Sequence, residues 1–198
     1  MNKTSRILSS IALFLLAMWP SVLAAESLNV HGIFRSNMVL QRDKPITVWG
    51  WAPAGTEVSV SLGKHSAVGK AAGEKGRWEV VFDPQAANGQ GQALKVQAAG
   101  QVVEMANILI GDVWVMNGQS NMAFGLRAVY QAEFEASMAH LPLLRHIRIL
   151  SGAESECIET DLKDEFINQK EDPDKNWKVV TPEVAMDMGA IGYIFGSR

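Results

Sequence analysis

Four short segments carry an apolar side chain at every second position: Ile46-Thr-Val-Trp-Gly-Trp51, Glu57-Val-Ser-Val-Ser-Leu62, Arg77-Trp-Glu-Val-Val-Phe82 and Ala93-Leu-Lys-Val-Gln97. Period two puts those side chains on one face of an extended chain, and the β-branched and aromatic content suits a half-buried sheet. Turn chemistry separates the segments: Ala52-Pro-Ala-Gly55, Gly73-Glu-Lys-Gly76 and Asn88-Gly-Gln-Gly91. Strands recurring about every ten residues predict an antiparallel β-sandwich, and we place it at residues 25–107.

From residue 108 the pattern changes. The apolar run Val113-Trp-Val-Met116 reads as a buried strand and leads at once into Asn117-Gly-Gln-Ser-Asn121. A helix is expected over residues 128–140, ended by Pro142, and His146-Ile-Arg-Ile-Leu150 reads as a second strand. Strand, helix, strand implies a parallel pair joined by a crossover. Residues 151–176, rich in carboxylates, read as a solvated surface loop without the ligand spacing of a calcium site. Val184, Met188, Ile191 and Phe195 recur as one face of a last helix that Thr181-Pro182 would start. Residues 108–198 thus predict the beginning of an α/β domain, too short to complete a parallel sheet covered on both faces, and the chain reads as truncated.

At the start of the chain, Lys3 and Arg6 precede an apolar stretch at residues 7–19, and Val22-Leu-Ala24 follows. This is the layout of a secretory signal cleaved near Ala24; the alternative is an uncleaved anchor. The apolar stretch is short for a bilayer, so the mature chain is not expected to span a membrane, and a secreted or periplasmic location follows. Loss of those two cations moves the net charge from −3 to −5. No basic patch interleaved with aromatics suggests nucleic acid. Cys157 is the one cysteine, which excludes an internal disulfide, and no Cys/His cluster suggests zinc.

A strand that stops at a glycine-containing turn and enters a helix exposes the side chain at the junction, which here is Ser120. A lone Gly-x-Ser is most often an ordinary turn, and Met122 replaces the second glycine of a Gly-x-Ser-x-Gly elbow. The longer string Gly111-Asp-Val-Trp followed by Asn117-Gly-Gln-Ser-Asn-Met122 resembles the nucleophile block of the sialate O-acetylesterase family, a branch of the SGNH hydrolases. Phe34-Arg-Ser-Asn-Met-Val-Leu-Gln-Arg42, Pro45-Ile-Thr-Val-Trp-Gly-Trp51 and Gly76-Arg-Trp-Glu-Val80 are similar to that family's β domain. Trp177 and Gly189-Ala-Ile-Gly-Tyr-Ile-Phe-Gly196 resemble its helix after the block, except that the family usually carries Ser-Ala where this chain has Gly189-Ala190.

The resemblance implies a flavodoxin-like SGNH domain at residues 108–198 and Ser120 as nucleophile. It also implies an acetylated sugar or glycan as substrate, with no metal or other cofactor. Gly118, Gln119 and Asn121 are the candidate substrate or oxyanion residues; Gln119 and Asn121 either orient substrate or fix the turn. The family's Asp-x-x-His pair occurs nowhere in residues 1–198, and His31, His65, His140 and His146 are poor substitutes for it. Trp114 and Trp177 read as core, with lining of a sugar cleft as the other reading. Two alternatives to the enzyme stay open: a carbohydrate-binding β module, and a non-catalytic fragment.

Overall fold

A computed structural model describes residues 27–150, 161–164, 167–168 and 174–198. The expected signal at residues 1–24, Cys157 and most of the acidic segment lie outside the described residues.

The first part of the chain is β-sheet. Strands β1 (Asn29–Val30), β3 (Ile46–Trp51) and β6 (Arg77–Phe82) form a three-stranded antiparallel sheet in the order β1-β3-β6. A five-stranded sheet runs β2 (Val39–Gln41), β8 (Gln101–Gly111), β7 (Asn88–Ala98), β4 (Glu57–Leu62) and β5 (His65–Lys70). Its strands pair antiparallel except β2 with β8, which are parallel. Alternate residues of the two sheets meet in one core: Ile46, Val48, Trp78, Val80 and Phe82 from the smaller sheet, Val58, Val60, Leu62, Leu94 and Val96 from the larger. Each such aliphatic side chain withdrawn from water contributes roughly 1.5–3 kcal/mol. At the turn before β6, Gly76 has φ +63°, and a Cβ there would lie 2.0 Å from the Ala52 carbonyl oxygen, so only glycine closes it.

Strand β8 does not stop near residue 107. It continues to Gly111, and Ile108 and Ile110 are buried in this first core.

A second, smaller core holds Leu126, Ala136, Ala139, Val180, Ala185, Met188, Ala190 and Tyr193. It is built from α1 (Ser120–Ala123), a 3₁₀ turn at Leu126–Ala128, α2 (Ala132–Ser137), β9 (Leu141–His146), β10 (Lys178–Val180), α3 (Pro182–Asp187) and α4 (Ala190–Ser197).

Several expectations for this part are corrected. Residues 113–116 are not a buried strand: they pair with no described strand, and Val115 is 87% exposed. The β2 ladder ends at Gln41 opposite Gly111, and beyond it no described strand pairs with the chain. The second strand begins at Leu141 rather than His146 and pairs antiparallel with β10, so the parallel pair with crossover is absent among the described residues. Pro142 lies inside β9, exposed, where a two-stranded sheet leaves an edge that needs no N–H. Of the helix expected at 128–140 only the six residues of α2 form, because Val129 is extended and Gln131 takes a left-handed conformation (φ 59°) before α2. The last helix is two pieces, broken at Met188 and Gly189. Its first half starts as expected: Pro182 stands at the first turn, and Thr181 Oγ1 accepts the Val184 N–H at 3.3 Å. Its buried side is different, since Ile191 and Phe195 are exposed while Ala185, Ala190 and Tyr193 are covered.

Part of the acidic segment is not solvated loop. Asp161 accepts hydrogen bonds from the Gly32 N–H (2.6 Å) and Asn29 Nδ2 (2.7 Å), and Leu162, Ile167 and Asn168 are buried. Trp177 ties the two parts together: its Nε1 donates to the Ile33 carbonyl, and its own carbonyl accepts from Asn37 Nδ2.

Candidate functional site

The segment that carries Ser120 leaves the large sheet at a fixed point. Arg42 N–H donates to the Gly111 carbonyl at 2.8 Å, and Gln41 Oε1 accepts the Val113 N–H at 2.9 Å. Arg42 Nε also meets Asp112 at 3.0 Å, which keeps that guanidinium protonated beyond its usual range through the hydrogen bond and the charge. Asp112 is therefore a strand-end residue with a structural partner. Residues 112–118 have no regular structure and are exposed.

Trp114, read from sequence as core, is 67% exposed and stacks edge-on against Phe195 with ring centroids 5.0 Å apart. An aromatic without a surrounding core packs on whatever apolar side chain is near, here one from α4.

Helix α1 is a single turn. Gln119 is its N-cap, and its carbonyl accepts the N–H groups of Met122 (3.0 Å) and Ala123 (3.2 Å). Ser120 is the first helical residue and is exposed, as are Gly118, Gln119 and Asn121. One turn carries little macrodipole, so any help to an anion comes from unsatisfied first-turn N–H groups. Gly118 is packed close behind the turn: a Cβ there would sit 2.6 Å from Met122 Cγ.

After α1 the chain forms a backbone bridge between Gly125 and Gly189. Leu126 N–H donates to the Met188 carbonyl at 2.9 Å, and Ala190 N–H donates to the Phe124 carbonyl at 2.8 Å. The residues entering α4 therefore hold the serine turn. Sequence reading missed this contact; its one visible signal was the glycine at position 189.

The histidines are placed as follows. His31 is buried, its Nδ1 accepting the Ile33 N–H, with Trp49 and Trp51 rings 5.1 and 5.9 Å away. His65 opens β5 and is exposed, and His140 is exposed between α2 and β9. His146 closes β9; burial, reinforced by Arg148, pushes its pKa below the ordinary imidazole value of 6.5. No side chain among the described residues hydrogen-bonds the Ser120 hydroxyl, and among them no three His, Cys, Asp or Glu side chains are grouped to hold a metal ion.

No family model matches the chain. The sialate O-acetylesterase of Pongo abelii is 27% identical to it over 158 residues, 75% of this chain and 30% of the relative. The human sialate O-acetylesterase is 28% identical over 69% of this chain, and the Rattus norvegicus protein 32% identical over 50%. A solved carbohydrate acetylesterase from Xanthomonas citri matches with a TM-score of 0.72 at 28% identity, over 85% of this chain and 36% of that one. The chain is thus similar to sialate O-acetylesterases over half to three quarters of its length. It spans between a fifth and a third of the length of the curated sialate O-acetylesterases it matches. No helix among the described residues is long and apolar enough to cross a membrane.

Proposed function

We propose that this chain carries the nucleophile of a carbohydrate O-acetylesterase, with Ser120 as the attacking residue. The observation that supports it is the exposure of Ser120 at the head of α1, with no hydrogen bond from the described residues to occupy its hydroxyl. In the reaction, Ser120 Oγ attacks the acetyl carbonyl carbon as its proton passes to a base. The sugar oxygen then leaves with a proton, and water releases acetate from the acetyl-serine. The Ser120 N–H and groups of Gly118, Gln119 and Asn121 are the proposed donors to the tetrahedral oxyanion; each such donor typically lowers the barrier by ~3–4 kcal/mol. The proposed base is the Asp-x-x-His pair that the resemblance implies, which occurs nowhere in residues 1–198. The relatives' names favour an acetyl ester on a sugar, and the substrate proposed from the family resemblance is a 9-O-acetylated sialic acid.

The same proposal reads residues 1–24 as a secretory signal, 25–107 as a β-sandwich and 108–198 as the first part of the esterase domain. The test is hydrolysis of 4-nitrophenyl acetate by the chain and by any longer product of its reading frame, each beside its Ser120→Ala variant. Serine-dependent turnover in the longer product and negligible turnover in the 198-residue chain are expected. Undiminished activity in Ser120→Ala removes this serine from the mechanism. Glycan binding indifferent to that substitution, with no turnover, favours a binding module instead.

A further inference from the structure

We infer that two copies of this 198-residue chain associate face to face through one apolar surface, made by residues 113–116 and the outer side of α4. Val113, Trp114, Val115, Met116, Ile191 and Phe195 are each between 38% and 87% exposed. They form one continuous surface. The Trp114 and Phe195 rings meet edge to face at 5.0 Å, and Met116 lies beside Gly192, where a Cβ would stand 3.8 Å from its Cγ. Ile191 and Phe195 are four residues apart and so share a helix face. Together the six residues expose roughly 600 Å², the upper end for an apolar patch on a typical monomer. Two such surfaces in contact bury about 1,200 Å², which is where specific, stable protein interfaces begin.

The charge pattern favours a second copy over a charged partner or a lipid surface. No charged residue occurs from Val113 to Leu126 or from Met188 to Ser197. The charges that bound those stretches are paired within the chain: Asp112 with Arg42, Arg127 with Asp187, and Arg198 with Glu135 at 3.9 Å. A two-fold contact sets a patch against itself, so an uncharged patch meets no repulsion there. An anionic membrane would call for free cations at the rim, and those at this rim already have carboxylate partners. The backbone adds a requirement that a copy also meets. The N–H groups of Trp114, Val115 and Met116 bond to no described group, so this stretch has the open side of an edge strand. Two such stretches pair antiparallel about a two-fold axis at Val115, with Trp114 as the aromatic anchor beside it. The inference uses no turnover and stands apart from the esterase reading of Ser120.

The test is sedimentation velocity on the 198-residue chain from about 1 to about 100 µM, with Val115→Asp and Val102→Asp beside it. Both positions are exposed valines, one on the proposed surface and one on β8 in the first sheet, so neither substitution opens a core. Wild type should pass from monomer to dimer within that range, a micromolar Kd being the weak end for interfaces of standard area. Val115→Asp sets an unpaired carboxylate on each side of the axis and should weaken the dimer ~30-fold or more. Val102→Asp should leave it unchanged. Hydrogen exchange of wild type should show residues 113–116 gaining protection as concentration rises, while β5 does not. A wild type still monomeric at about 100 µM overturns the inference; protection of residues 113–116 in that monomer would mean that the chain covers the face itself. A dimer indifferent to Val115→Asp places the contact elsewhere, and growth beyond two copies shows a contact that does not close. Either result overturns it.

Discussion

Leu126 is the side chain on which the second core most depends, and Leu126→Ala should melt that core without touching the first. It is fully buried, next to the serine turn, and four of the other residues around it are alanines: Ala136, Ala139, Ala185 and Ala190. Truncating a buried leucine costs about 2–5 kcal/mol, more where the surroundings cannot collapse into the space. Alanines have no rotamers with which to fill it, so a cost of about 3–4 kcal/mol is expected here. At 1.4 kcal/mol per decade, this amounts to a rise of at least about a hundredfold in the population of the locally opened state. Hydrogen exchange measured peptide by peptide reads that population. Peptides from α2, α3 and α4 should exchange about a hundredfold faster. Those from β7 and β8, whose Leu94, Val96, Ile108 and Ile110 pack in the first core, should not change. Equal acceleration in β7 and β8 would show that the two cores open as one unit and refute the separation. A change of less than about threefold in α3 and α4 would show that Leu126 does not carry the second core.

Two further tests address single interactions. Thr181→Ala removes the hydroxyl that accepts the Val184 N–H, so α3 should lose about 1 kcal/mol and exchange about fivefold faster, with Thr181→Ser restoring most of it. His146 has a folded-state pKa below its ordinary value, so the unfolded chain takes up that proton first as pH falls. Its contribution is fully present above pH 6.5 and declines below it. Melting temperatures measured between pH 7.5 and 5 should therefore fall less in His146→Gln than in wild type; an equal or steeper fall in the variant refutes this.

The β region was legible because its alternation is a direct record of burial. Ile46–Trp51, Glu57–Leu62 and Arg77–Phe82 are strands with the boundaries their periodicity gives, each turning one face into the shared core. Strand β5 left no such record. It is an edge strand whose His65, Ser66, Val68 and Lys70 are all exposed, and its pairing with β4 alone defines it. Strand β8 was divided between two expectations because its middle is polar, although its end at Ile108 and Ile110 is as buried as any part of the core. In the second region Thr181-Pro182 marked its helix correctly, through a hydrogen bond that the local sequence supplies by itself. The break after Asp187 comes instead from the bridge to Phe124 and Leu126, more than sixty residues away, and no local pattern encodes it.

Large apolar residues mark where a chain gains by burial, but close approach in the second core belongs to small ones. Val115 is 87% exposed and Phe195 51%, whereas Ala139 and Ala185 are fully covered. Hydropathy weighs the first pair heavily and the second barely, so the helix face read from Val184, Met188, Ile191 and Phe195 pointed partly the wrong way. Contact between backbones also tolerates less change than contact between long side chains, because peptide groups have no rotamers to yield. The serine turn is held in this second manner, by the backbone bonds from Leu126 N–H to the Met188 carbonyl and from Ala190 N–H to the Phe124 carbonyl.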